Sequence, residues 1–488
     1  MSYCCSSLLP SPPSLRRRLR SPLLTSPPKA LTLTPRRPSL FLRSSLSDPF
    51  VLEIAEKLED SLSSSPSIQS LPLQRLRDSS SQSLLSRSWP SSKDEPFRFT
   101  DTSFLKNSSI LPAPIPPLPS FSLDSPSPNL ISLVDGHFVT SLSRLSSVPA
   151  GAFAGSLSAL PPGPIYDRLL AAIASADDFQ DRDLFWDLNG VGAPDIAVIY
   201  IPAGARVLDE PIHIRFCYSE GDEVGSQRLR LSNPRVLVVV EKGAEVGIVE
   251  EHLGVGGSDE RCYWANSVME IVIEEGAKVT HSYMQRQSVN AAHIKWTFAR
   301  QESSSSYELI EISTGGRLSR HNLHIQQLGP DTVTELSAFH VSRSNQTQDL
   351  HSRLVLDHPR GYSRQLHKCI VCQSSGQAVF DGNIKVNRFA QQADAGQLTR
   401  TLLLAPRATA NVKPNLQIIA DDVKCSHGAA ISDLEEDQLF YFRARGVDLQ
   451  TARDALVFSF GAEVMARIPF EPIRKSVTSQ VKELLANQ

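Results

Sequence analysis

The chain has 488 residues, a formal net charge of −3 and 41% hydrophobic residues. That length can bury a large core, and the charge balance lacks the basic field that nucleic acid or an anionic membrane surface calls for. Its seven cysteines are too few and too scattered for a disulfide framework. No window approaches the roughly 18 uninterrupted apolar residues needed to cross a bilayer, so neither nucleic-acid binding nor membrane insertion is expected.

Residues 1–47 contain no Asp or Glu, yet carry Arg16, Arg17, Arg18, Arg20, Lys29, Arg36, Arg37 and Arg43 among many Ser, Pro and Leu. This composition predicts an organelle transit peptide, and its proline density favours a plastid address, with the chloroplast stroma as destination. From Pro49 to Leu62 the residues Val51, Leu52, Ile54, Ala55, Leu58 and Leu62 recur at helical spacing. Residues 48–180 are therefore expected to form a mostly helical N-terminal region. It is interrupted by a Pro/Ser-rich linker that includes Leu111 to Pro128. Tyr166 to Phe179 reads as a further helix.

Past Asp195 short β-branched runs recur, among them Ile196–Ile201, Val236–Val240, Tyr307–Ile312, Val333–Val341 and Ala378–Val386, with Gly-bearing turns between them. Lys242-Gly-Ala-Glu-Val246 and Glu275-Gly-Ala-Lys-Val279 echo one another. Strand and turn with almost no helical periodicity predict an all-β core over 181–430, and the irregular echoes suit a β-helix better than a sandwich. Residues 431–488 are expected to be helical. Ser432-Asp-Leu-Glu435 reads as a capping box, Asp448 as the cap of a second helix closing at Gly461, and Pro472 as the start of a third.

Few residues suggest chemistry. Cys369 and Cys372 are three apart in a stretch that reads as strand, so their side chains point to opposite faces and a shared ligand is not expected. Cys369 and His367 share a face. Eight of the twelve histidines lie between His281 and His367, in no metal-binding helix or knuckle, and read as ordinary strand or rim residues. Asp421 and Asp422, read as neighbours on a strand, would face opposite ways. No phosphate-binding loop or nucleophile elbow is present. Cys425 and His427 remain. Two apart on an extended backbone, they share a side, and a thiolate beside an imidazole suits iron, zinc or persulfide chemistry. A packed thiol and a rim histidine would look the same.

Gly376-Gln-Ala-Val-Phe-Asp-Gly-Asn-Ile-Lys-Val386, Ala390-Gln-Gln-Ala-Asp-Ala-Gly-Gln397 and Ala420-Asp-Asp-Val-Lys-Cys-Ser-His-Gly-Ala429 follow the SufD pattern in order. Glu435-Glu-Asp-Gln-Leu-Phe-Tyr-Phe-Arg-Ala-Arg-Gly446 continues it, and Asp94-Glu-Pro-Phe-Arg-Phe-Thr100 resembles a motif that the family carries upstream. From about residue 50 onward the chain resembles the SufD subunits of the SufB–SufC–SufD iron–sulfur assembly complex. The segment from Ser108 to Pro128 has no clear counterpart.

The resemblance implies a right-handed parallel β-helix flanked by helical N-terminal and C-terminal regions, and a non-catalytic scaffold. It implies pairing with SufB through β-helix surfaces and docking of the ATPase SufC on the C-terminal helices, for which Leu434, Leu439, Phe440 and Phe442 are the candidate residues. His427, with Cys425 close by, would take part in cluster assembly at the SufB interface, with His427 the candidate metal ligand. Iron, sulfur or a nascent cluster would pass through transiently, and no cofactor would stay bound. The alternatives are a carbohydrate-active β-helix enzyme and a purely structural stabiliser of SufB.

Overall fold

The computed structural model describes residues 48–62, 71–114, 126–176, 179–219, 228–255 and 262–486. The expected transit peptide and the middle of the Pro-rich segment lie outside them. The N-terminal part contains helices α1 (Pro49–Leu62), α2 (Leu71–Leu84) and α3 (Ser103–Lys106). Short strands β1 (Ser109–Pro112), β2 (Asn129–Val134), β3 (His137–Phe138), β4 (Arg144–Leu145) and β5 (Phe153–Ser156) follow, then α4 (Pro164–Ala176) and α5 (Leu184–Gly192). The start of the expected linker is thus a strand: Ser109–Pro112 pairs in parallel with Arg228–Leu231.

The core is a parallel β-solenoid of about seven turns between residues 230 and 432. Its strands, with those that lead into it, are β6 (Ile196–Ile201), β7 (Arg206–Ser219), β8 (Arg228–Ser232), β9 (Arg235–Val240), β10 (Glu245–Val255), β11 (Tyr263–Ile273), β12 (Lys278–Arg286) and β13 (Ala292–Gln301). They continue as β14 (Ser306–Ser313), β15 (Leu318–Gln327), β16 (Val333–Ser342), β17 (Thr347–Leu356), β18 (Tyr362–Val371), β19 (Gln377–Val386), β20 (Asp394–Leu403), β21 (Thr409–Ile418) and β22 (Lys424–Ser432). From β9 onward, successive strands alternate between two sheets. One sheet runs β6-β9-β11-β13-β15-β17-β19-β21, and the other runs β7-β10-β12-β14-β16-β18-β20-β22.

The echo noted in the sequence is a coil repeat. Glu245 and Val246 lie in register with Lys278 and Val279. The turn glycines Gly243 and Gly276 both have φ near +67° (66° and 67°), a left-handed conformation that glycine adopts without steric cost. Later coils keep that conformation with Ser304, Asp331, Arg360 and Gln392, so the backbone repeat persists where the glycine signal is lost. Stacked turns are tied from coil to coil, as in Gly243 N–H to Glu275 O and Gly276 N–H to Ser303 O.

Away from the last strands, both sheets are covered on their outer as well as their inner faces. Inward side chains meet in one core that runs from Ile131 and Ile199 to Phe380 and Ile384. The outer face of the β6-to-β21 sheet is covered by the N-terminal helices, with Phe185, Leu188, Leu58 and Trp89 packed on Trp264 and Ile294. The Glu95–Thr100 segment continues this cover. Thr100 Oγ1 donates to Asp349 Oδ2 (2.6 Å), Arg320 Nη1 donates to the Pro96 carbonyl (2.9 Å), and the Phe97 ring lies under the Arg320 guanidinium.

The opposite sheet is covered by C-terminal helices. α6 (Glu436–Arg443) is followed by α7 (Leu449–Met465) and α8 (Glu471–Ala486). Val457, Val464, Ile473, Val477 and Val481 pack on Ile310, Phe339, Ile370 and Leu402. Asp448 caps α7 as expected, accepting the Thr451 N–H at 3.0 Å. Two expectations are corrected. Ser432 belongs to β22, and α6 is preceded by Glu435 with no side-chain cap. α7 runs past Gly461 to Met465, because this glycine is a contact point: a Cβ there would lie 2.4 Å from the Phe339 ring.

Candidate functional site

β21 and β22 are the terminal strands of the two sheets, and among the described residues no further strand pairs with them. Their inward side chains therefore form the uncovered last layer of the solenoid. In β22, Cys425 is in register with the buried Ala395 and His427 with the buried Gln397. Side chains two apart share a face, so Cys425 and His427 stand on the interior-facing side of the last coil. Cys425 is half-buried against the end of the main core, and His427 is exposed.

Burial pushes the Cys425 thiol up, against a hydrogen bond with the Ala395 backbone that lowers it; the nearby Asp394 carboxylate adds to the rise. The sulfur therefore stays protonated at neutral pH until a metal or another electrophile displaces the proton. Among the described residues no three His, Cys, Asp or Glu side chains are arranged to hold a metal ion. Cys425 and His427 can supply at most part of a coordination sphere. Around them the last layer exposes apolar side chains: Ile418, Ile419 and Ile431 are 48%, 53% and 47% accessible. Their strands also present edges open to pairing.

α6 begins four residues beyond the end of β22. Of the residues singled out on and before it, Leu434, Leu439 and Phe442 turn partly inward, whereas Phe440 is 72% exposed beside an exposed Tyr441. The Arg445 guanidinium covers the Tyr441 ring.

Cys369 and Cys372 are separated as their spacing requires. Cys369 points into the solenoid beside Val371 and Ala378, and Cys372 packs outward under the C-terminal helices. Burial pushes the Cys369 thiol up. His367 shares the inward face, but its Nδ1 is 2.9 Å from Thr399 Oγ1 and its ring stacks on Phe380. Asp421 and Asp422 lie in the turn before β22, not on a strand.

Most of the clustered histidines are not rim residues. His281, His293, His321, His340 and His367, with His252, are fully or nearly fully buried. In one group Glu250 accepts from Lys295 Nζ (2.5 Å) and contacts His252 Nε2 (2.7 Å) and His281 Nε2 (2.9 Å). In a second, Glu311 contacts His321 Nδ1 (2.8 Å) and His340 Nε2 (2.9 Å). Tyr218 OH meets His252 Nδ1 and Tyr307 OH meets His281 Nδ1 in the first group, and beside it Tyr283 OH meets His293 Nε2. Burial alone would raise Glu250 and Glu311, yet Lys295, His252 and His281 around the first, and His321 and His340 around the second, hold both below the usual carboxylate range. Sequence reading missed this polar interior. Its signal was the period-two spacing in Glu250/His252, His281/Tyr283 and His293/Lys295.

Residues 223–460 match the family model described as the SUF system FeS cluster assembly SufBD core domain. The chain is 57% identical over 472 residues to the chloroplastic protein ABCI7 of Arabidopsis thaliana, covering 95% of this chain and 97% of that protein. It is 36% identical over 395 residues to an iron–sulfur cluster assembly SufBD family protein of Synechocystis, with 79% and 85% coverage. It is 26% identical over 374 residues to the iron–sulfur cluster assembly protein SufD of Escherichia coli, with 73% and 86% coverage.

Proposed function

Because the chain belongs to the SufBD family of iron–sulfur cluster assembly proteins, we propose that it is a non-catalytic, SufD-type scaffold of a plastid SUF machinery, acting with SufB and the ATPase SufC. The observation that carries this reading is the uncovered last coil. Cys425 and His427 stand side by side on it, short of a full ligand set, amid exposed isoleucines and open strand edges. A second solenoid with a matching end would cover those edges by strand pairing and complete the coordination sphere. SufB is the partner proposed for it. Iron, sulfur or a nascent cluster is the cargo of that interface, not a resident cofactor. The chloroplastic name of the Arabidopsis relative and the acid-free residues 1–47 support a plastid, stromal address.

SufC is assigned to the C-terminal helices, with Phe440 as the exposed contact and Leu434, Leu439 and Phe442 holding α6 in place. Because α6 follows β22 so closely, a nucleotide-driven movement of SufC would be transmitted to the strand that carries His427. Co-purification of the three proteins, then cluster reconstitution with His427→Ala and Cys425→Ser, tests this. An intact complex that loses cluster assembly is expected for His427→Ala. Full assembly by an intact complex lacking both side chains would leave this chain a structural stabiliser of SufB.

A further inference from the structure

Gln397 lies one coil beneath His427, in direct register with it. Its side chain is 3% accessible, and its Nε2 donates to Gln365 Oε1 at 3.0 Å. Gln365 is the register partner of Gln397 in the next coil inward, and the same Oε1 accepts from Ser352 Oγ at 3.1 Å. The two amides thus form a ladder along one interior row, with hydrogen-bonding contact between successive rungs. Gln397 Oε1 is buried and has no hydrogen-bond partner. A buried carbonyl left without a hydrogen bond is destabilising, so such a group calls for an explanation.

The site is built to hold this amide. Across the core from it, β19 carries Gly382, where a Cβ would lie 2.2 Å from Gln397 Nε2. Any larger residue at 382 would displace the amide. The ladder's next rung toward the open end is the imidazole of His427, and a neutral imidazole has one N–H to donate.

We propose that Gln397 is a positioning residue: a turn of the exposed His427 side chain onto this ladder brings its N–H to the unpartnered Oε1, which fixes the imidazole tautomer and presents the other ring nitrogen to metal at the open end. This rests on the reading of His427 as a ligand. It adds that the ligand's orientation is set by this chain's own interior row, before any partner arrives. Outer hydrogen bonds of this kind hold metal-binding histidines in one tautomer, and their loss typically weakens metal binding 10- to 100-fold.

The test uses the full chain with 15N-labelled histidine, the His427 signal being assigned by its loss in His427→Ala. The wild-type His427 is expected in one neutral tautomer. Gln397→Leu should give a mixture of both and weaken binding of the probe ion Co2+ by about 10- to 100-fold. Gln397→Glu, which keeps an acceptor, should restore the single tautomer. Gly382→Ala, which crowds the amide without changing its chemistry, should reproduce the tautomer mixture if Gln397→Leu proves poorly folded. An unchanged His427 tautomer in folded Gln397→Leu and Gly382→Ala overturns the positioning contact. Co2+ binding that is indifferent to His427→Ala overturns instead the ligand role on which it rests, and the NMR readout separates the two failures.

Discussion

Acid should unfold this solenoid well before its carboxylates titrate. Burial pushes His213 down to about 3, with Arg215 and Arg286 adding to the effect. His252 falls to about 4, where burial outweighs the pull of Glu250, and burial with Arg353 lowers His324 to about 3. All three are neutral in the folded chain at pH 5, whereas in the unfolded chain they take up protons below about 6.5. The unfolded state thus binds more protons, and stability present above pH 6.5 is lost as pH falls toward the folded values. Between pH 7.5 and pH 5 each histidine contributes a loss of about 2 kcal/mol, or about 6 kcal/mol together. His281, His293 and His367 are displaced in the same direction and add to it. Against a typical total of about 5–15 kcal/mol this is a large fraction. Trp89, Trp186, Trp264 and Trp296 are all buried, so urea unfolding followed by tryptophan fluorescence across pH 5–7.5 reads the effect. His324 packs edge-on against Phe179 and Phe298. Replacing it by Phe should remove about one proton from the pH dependence. A urea midpoint that stays constant over this range would refute the neutral-core assignment.

Three further outcomes are expected. Gly461→Ala should push α7 off the Phe339 ring and lower stability by about 1–3 kcal/mol, measured by urea or thermal unfolding; an unchanged midpoint would mean that the helix is not seated there. Thr100→Val removes the hydroxyl that donates to the buried Asp349 and should cost about 1–3 kcal/mol, with faster proteolysis of the N-terminal segment as a second readout. Cys369→Ala and Cys372→Ala, singly or together, should leave cluster assembly by the complex intact, since the two thiols face opposite sides of their strand; lost assembly in a folded double variant would contradict this.

The solenoid was legible where its inward rows are apolar and its turns carry glycine. Ile196–Ile201 and Val236–Val240 read as strands and are strands. β10, β13 and β15 did not stand out, because their inward positions hold Glu250, His252, His293, Lys295, Ser319 and His321. Such residues look solvent-exposed in a sequence, and burial of a charge is tolerated only when a partner is brought to it. Those partners come from neighbouring coils, as Lys295 does for Glu250 across 45 residues, so the pairing is invisible to local pattern. The end of α7 was misplaced for a related reason. Glycine near the end of an apolar stretch reads as a stop, yet Gly461 answers to a ring on β16.

The same division between local and long-range information explains the candidate site. That Cys425 and His427 share a side follows from the two-residue period of an extended strand, and the fold preserves it. Their exposure follows from which coil is last, which no local pattern states. One more coil stacked on β22 would bury His427 as Gln397 is buried and leave no layer to offer. Register matters as much, since a slip of β22 by one residue would turn Ser426 and Gly428 inward in place of the thiol and imidazole. The nine register pairs from Asp394↔Lys424 to Leu402↔Ser432 oppose that slip. It follows that substitutions in β20 that loosen this pairing should disturb the site as severely as changes to Cys425 or His427 themselves, although they touch neither side chain.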